Sequence, residues 1–218
     1  MKNLDFGIYH VFNKSIAGFK IFNLKADFLR MKELCRYYQI EKPSLKFSRF
    51  KEFSKLNKNP QMKLLWKLSS EKKIVKIIAY CIMPTHLHFI LKPLIENGIS
   101  VFTSKILNSY TRYFNIKHNR KGPLWEGRSK RVLVKTDEQL LHLTRYIHLN
   151  PVTAHLVEKP EEWKFSSYLE YLGLIPPQEC ICEFEDVLEI NPQRYRQFVE
   201  DRISYQRELA KIKALLLE

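Results

Sequence analysis

His86 and His88, two imidazoles one residue apart, lie inside the apolar run AYCIMPTHLHFILKP at 79–93. In an extended chain alternate side chains share a face, so both histidines point one way and Leu87 the other. Neutral imidazoles fixed side by side form a chelating pair for a divalent transition metal. The plain alternative is two half-buried strand histidines, and the pair by itself does not choose. Further on, Gln139, His142, Tyr146 and Asn150 follow one another at three and four residues, which makes one polar stripe of a helix. A tyrosine beside an amide on such a stripe is unusual if its only task is packing. Between these segments runs HNRKGPLWEGRSK (118–130), rich in Gly, Pro and positive charge. Its Arg and Lys heads suit phosphate. Trp125 either stacks on an unpaired base or plugs the core of an ordinary surface loop.

The histidines need strands and the stripe needs a helix, and the surrounding pattern predicts both. Residues 74–83 and 89–91 are rich in Val, Ile, Leu and aromatics, the mark of buried strand, and Pro84 breaks the run. The unit reads as two antiparallel strands joined tightly, the second presenting His86 and His88. Residues 8–13 (IYHVFN) predict an earlier strand whose His10 is able to join the same face, with a further short strand at 19–22. Residues 24–39 and 101–117 have helical apolar spacing, with Ser100 as the cap of the second helix. Tyr110 and Tyr113 on that helix are core members with the alternative of base stacking. Residues 132–134 predict a short strand. TDEQ at 136–139 is a capping box that opens a helix to about Leu149, which Pro151 ends.

Length and composition fit this reading. A chain of 218 residues with 45% hydrophobic and 13% aromatic residues supports a packed domain. No apolar run approaches the roughly 20 residues that span a bilayer. The segment MKNLDFGIYHVFNK lacks the long apolar stretch of a secretory signal. Of the four cysteines, Cys35 and Cys81 read as core, and Cys180-Ile181-Cys182 lacks the partners of a zinc site. A reducing cytoplasm is the expected location. The net charge of +14 is unevenly spread: 101–135 carries nine Lys/Arg against Glu126 alone, and 42–73 ten against two acids, whereas 158–200 carries four against ten. Charges that serve only solubility are interspersed; blocks of this kind point to a phosphate-rich partner, nucleic acid above all.

Three stretches, YCIMPTHLHFILKP, SYTRYFNIKHNRKGPLWEGRSK and LLHLTRYIHLNPVTAHLV, together resemble the IS200-like transposases, and within them the relatives associated with repetitive extragenic palindromes (REPs). The resemblance runs from about Tyr9 to Tyr168. It implies an α+β fold, a ferredoxin-like antiparallel sheet with helices on one face, of the HUH class of single-stranded DNA nucleases. It implies His86, His88 and Asn150 as ligands of a divalent metal, Mg²⁺ or Mn²⁺, and Tyr146 as a nucleophile that forms a 5′-phosphotyrosine. The partner implied is single-stranded or hairpin DNA, with Arg112, Lys117, Arg120, Lys121, Trp125, Arg128, Lys130 and Arg131 as contacts. Insertion-sequence members act as dimers and palindrome-associated ones also as monomers, so either state stays open, and no membrane is involved. Thr85 stands where relatives often have Asn, and Glu126 where many have Gln.

On this reading residues 1–172 form the nuclease domain, with a basic insertion at about 41–70, and 173–218 a helical C-terminal tail that docks rather than catalyses. The competing reading is a nucleic-acid-binding protein of the same fold whose catalysis is lost or repurposed. A third, an unrelated metal-dependent hydrolase, needs carboxylates near the histidines, and Glu96 is the one acid close in sequence.

Overall fold

In the computed structural model, residues 7–41, 47 and 72–205 are described. The basic insertion expected at about 41–70 therefore lies almost wholly outside the described residues, as does the last part of the tail. Strand β1 (Ile8–Lys14) is followed by helix α1 (Lys25–Tyr38), the paired strands β2 (Val75–Ile82) and β3 (His86–Pro93), helix α2 (Gly98–Lys117) and strand β4 (Lys130–Val134). The sheet order is β2-β3-β1-β4 and every neighbouring pair is antiparallel. This βαββαβ succession with β1 and β3 at the centre is the ferredoxin-like arrangement. Helix α3 (Asp137–Thr153), the short α4 (Tyr168–Tyr171) and α5 (Pro192–Glu200) are the remaining α-helices among the described residues.

Alternation along β3 divides the molecule. Leu87, Phe89 and Leu91 join Val11 of β1 and the apolar stripes of α1 and α2 in one core. Ile90, on the opposite face, joins Leu140, Ile147, Leu149 and Val152 of α3 in another. The two helices of the ferredoxin-like core thus share one face, and α3 lies across the other, the face that carries His86 and His88. A bulge at Ile77/Ala79 lets β2 serve both cores: Ile77 packs with the first, while consecutive Ile78 and Ala79 both pack with the second.

Local chemistry explains the ends of these elements. Asp27 Oδ2 accepts from the backbone N–H groups of Asn23 and Leu24, which starts α1. Thr136 Oγ1 accepts from Gln139 N, the expected cap, but Gln139 Oε1 accepts from Lys135 N, one residue before the N–H that would close a capping box. Helix α2 begins at Gly98 rather than at a Ser100 cap, after Asn97 at φ +58°. A Cβ at residue 98 would overlap the carbonyl oxygen of Ile74, so only glycine permits this approach. Residues 19–22 form no strand. Instead the N–H groups of Ile21 and Phe22 both bond to Pro84 O, tying the chain to the β2–β3 turn. Pro151 does not end α3, which continues to Thr153, where Ala154 N bonds to Asn150 O.

The last third of the chain is built into the same body. Phe165 stacks on Phe28 with ring centroids 4.1 Å apart, and Trp163 Nε1 donates to Ile82 O. Ile82 N donates to Phe165 O, Ser167 N to Tyr80 O and Glu183 N to Ile77 O, so residues from 163 to 183 cover the outer edge of β2. The buried Glu170 carboxylate accepts from Tyr80 Oη and from the N–H groups of Ile181 and Cys182, which fixes that segment. Tyr195 and Val199 of α5 are buried in the second core. No helix among the described residues is long and apolar enough to cross a membrane.

Candidate active site

Cross-strand pairing assembles the site. Phe12 lies opposite His88, Lys14 opposite His86 and His10 opposite Ile90, so His10, Phe12, Lys14, His86 and His88 share one face. Helix α3 crosses that face. Because Tyr146 and Asn150 are one turn apart, both reach the histidines. The ring of Tyr146 stands edge-on to His88 with centroids 5.7 Å apart, and to His10 at 6.4 Å. Asn150 Oδ1 is 3.4 Å from His86 Nε2. These residues, with Ser15, Gly18, Thr85 and Glu126, line a cleft of about 570 Å³. Tyr146 is 45% exposed, unusual for an aromatic in a packed protein, and its ring forms part of the cleft wall.

Each histidine is held through its second nitrogen. Thr85 Oγ1 is 2.9 Å from His86 Nδ1, and His10 Nε2 is 3.0 Å from His88 Nδ1 with the two rings stacked. The hydroxyl of Thr85 thus takes over a ring-orienting task, and Ser15 N anchors the turn by donating to Thr85 O. Burial keeps all three imidazoles neutral: it lowers His10 to about 4 and, with help from the neighbouring imidazoles and Lys14, His88 to about 3, and it lowers His86 as well. Neutral rings keep a lone pair for a cation.

The donor set fits a divalent ion. With the His86 proton on Nε2, the contact with Asn150 is a long hydrogen bond. With the proton on Nδ1, shared with Thr85, two lone pairs face each other across 3.4 Å, and a cation reconciles them. No group of three or more His, Cys, Asp or Glu that could hold an ion occurs among the described residues, and the amide oxygen of Asn150 is the further donor atom beside His86. Thr85 and His10 hold the Nδ1 atoms of His86 and His88, the position that outer partners of metal-bound imidazoles take.

The remaining expectations separate clearly. His142, on the same sequence stripe as Tyr146, is bonded to Arg145 and packed on Phe198, and it does not line the cleft. Tyr110 Oη donates to Ile21 O and Tyr113 Oη to Asp27, so both are core members. Trp125 is only 8% exposed, with Nε1 donating to Leu107 O and Thr111 Oγ1, so its ring plugs the loop against α2. Lys117 pairs with the fully buried Asp27, and Arg120 braces the loop through Asn115 Oδ1 and Pro123 O. Arg112, Lys121, Arg128, Lys130 and Arg131 are exposed. Lys14 and Phe12 escape sequence reading, because the signal that finds them is the β1–β3 register.

The far side of α3 is fastened too. His148, fully buried, bonds through Nδ1 to Tyr195 Oη and through Nε2 to Ser167 Oγ, each at 2.7 Å, and Tyr195 Oη donates to Thr144 Oγ1. Helix α5 therefore grips the helix that carries Tyr146 and Asn150 from behind.

Comparison with known proteins agrees with the resemblance drawn from the motifs. Residues 48–150 match the model of the family described as IS200-like transposases, a stretch that includes His86, His88, Tyr146 and Asn150. A Haemophilus influenzae protein that carries the name of a REP-associated tyrosine transposase is 25% identical over 113 residues, covering 47% of this chain and 64% of its own length. The fold is that of a solved REP-associated tyrosine transposase bound to a REP hairpin, with a TM-score of 0.50 at 15% identity, covering 86% of this chain and 94% of the other.

Proposed function

From its likeness to the IS200-like and REP-associated tyrosine transposases, we propose that this protein cleaves and rejoins single-stranded, hairpin-bearing DNA through a covalent bond to Tyr146. The observation that carries the reading is the placement of Tyr146 and Asn150, from one turn of α3, against the His86/His88 pair on the sheet. One chain supplies all four side chains.

The chemistry asks for a positioned nucleophile and for charge stabilisation on phosphate oxygens. Tyr146 Oη attacks the phosphorus and forms a 5′-phosphotyrosine, while the bond from phosphorus to the 3′-oxygen breaks. The phenol gives up its proton to water and the departing 3′-oxygen takes one, leaving a free 3′-OH. Attack by a 3′-OH on the phosphotyrosine runs the same step backwards and restores the phenol. The phosphodiester energy is thus kept for rejoining. Lys14, on the cleft face beside His86, brings a positive charge toward the anionic substrate. His86, His88 and Asn150 would hold a divalent ion, Mg²⁺ or Mn²⁺, and such an ion would supply Lewis-acid stabilisation of the non-bridging oxygens. Two nitrogen donors suit Mn²⁺ better than Mg²⁺, which prefers an all-oxygen shell.

A denaturing gel with labelled hairpin-bearing single-stranded DNA tests this. With Mn²⁺ the wild-type chain yields a slow protein–DNA band; EDTA or Tyr146→Phe removes it. A band that survives Tyr146→Phe refutes the assigned nucleophile. Tight binding with no band under any metal condition favours a binding protein without catalysis.

A further inference from the structure

Phe19 carries the most exposed ring of any phenylalanine, tyrosine or tryptophan among the described residues, at 66%. A lone exposed apolar side chain needs no ligand to explain it; what sets Phe19 apart is how its backbone is held. On one side Ser15 N donates to Thr85 O, and on the other Ile21 N and Phe22 N donate to Pro84 O, so both flanks are fastened to the turn that precedes His86. The fully buried hydroxyl of Ser15 donates to the carbonyl oxygen of Phe19 itself, at 2.6 Å. Ala17 and Gly18 both take the left-handed conformation, at φ +51° and +65°. An alanine is held there only where its surroundings enforce it, and such strain gathers at functional sites. Gly18 and Ser15 line the cleft, which places Phe19 at its rim. Lys14 and Lys20 on either side are exposed, and no aspartate or glutamate occurs between residues 7 and 26.

We infer that Phe19 is a stacking platform for one unpaired base, the base next to the phosphate that reacts at Tyr146. The inference rests on the DNA reading above and adds to it a subsite for the neighbouring nucleoside. A flat apolar face between two ammonium groups suits a flat ring carried on a phosphate chain. A protein partner asks instead for a contiguous apolar patch, and Ala17, Gly18 and Lys20 supply none beside the ring. Stacking reads no sequence, because every base has a π-face. Its use here is positional: the turn that holds the platform also orients His86, so a base seated on Phe19 keeps its own phosphate at a set place over the histidines.

The test is fluorescence anisotropy in EDTA in a Tyr146→Phe background, so that no binding outcome depends on cleavage. The probe is hairpin-bearing single-stranded DNA in which one unpaired base at a time is replaced by an abasic residue. With Phe19 in place, the abasic residue at one position is expected to weaken binding about tenfold. Phe19→Ala is expected to weaken the intact strand about tenfold and to erase the penalty at that position, leaving the other positions as they were. Phe19→Trp is expected to keep both the affinity and the penalty. A Phe19→Ala affinity within about twofold of the parent, or a penalty that persists in Phe19→Ala at every position, overturns the platform. So does a Phe19→Leu variant equal to the parent, which would show plain apolar contact rather than stacking. Melting curves confirm that these exposed substitutions leave the fold intact. A separate cleavage assay with Tyr146 restored distinguishes the two readings. No covalent product, with the coupling at one position intact, refutes the chemistry of Tyr146 and leaves the platform standing; a covalent product without that coupling does the reverse. If the chain binds none of these DNAs, both fall.

Discussion

His10 offers the sharpest test of how the cleft is organised. Its Nε2 lies 3.0 Å from His88 Nδ1 in a stacked pair of buried rings, leaving His88 Nε2 as that ring's other nitrogen. His10→Ala removes the acceptor and strands a buried N–H. A net hydrogen bond of about 1 kcal/mol, together with about 1–2 kcal/mol for the unsatisfied group, amounts to roughly a 30- to 160-fold loss of ion affinity, at or somewhat above the upper end of the roughly 10- to 100-fold seen for outer partners of metal ligands. Titration of Mn²⁺ by electron paramagnetic resonance, without DNA, reads this directly. His10→Gln, whose amide oxygen is an acceptor, is expected to recover a large part of the loss. Hairpin affinity in EDTA should change little in either variant, since the effect runs through the ligand. An unchanged Mn²⁺ affinity in His10→Ala refutes the positioning role. Glutamine as damaging as alanine would show that ring packing, not the hydrogen bond, holds His88.

Two further predictions concern the scaffold. Burial acts to raise the Asp27 carboxyl, but hydrogen bonds from Lys117, Leu24 N, Tyr113 and Asn23 N outweigh it and hold the group below its usual value. The stability it contributes is therefore present above the ordinary carboxyl range and lost as pH falls through the lowered value; Asp27→Asn should cost about 3 kcal/mol in urea unfolding at pH 7 and flatten that acid limb. Trp125→Ala should lower stability by about 3–5 kcal/mol, whereas Trp125→Phe, which keeps most of the ring volume, should leave DNA affinity within about twofold; a tenfold loss of affinity in a stably folded Trp125→Phe would return the indole to base stacking.

What could be read in the sequence was what is local. The H-x-H spacing placed both imidazoles on one face because strand alternation leaves no other choice. Residues 146 and 150 fell on one helical face for the same kind of reason. His10 was visible as a strand histidine, but its bond to His88 depends on the register between β1 and β3, which join residues 78 positions apart. Lys14 and Phe12 went unseen for that reason. Pro151 shows the limit of local rules: proline disfavours helix at the residue before it, yet α3 runs on to Thr153, with Pro151 and Val152 buried. The loop at 118–130 had two readings of Trp125, and contacts with Leu107 and Thr111 on α2 decided between them.

The grip on the back of α3 bears on timing. A covalent intermediate undone by its own leaving group survives only as long as the two ends stay in register. Thr144 and His148 tie one side of the helix to Tyr195 and Ser167, while Tyr146 and Asn150 occupy the other. Tilting Tyr146 away from the sheet means breaking a buried relay of hydroxyls and an imidazole. On the proposed reading, a strand attached to Tyr146 would be carried on a stiff mount, and in the interval between cutting and rejoining the partner free to move would be the DNA.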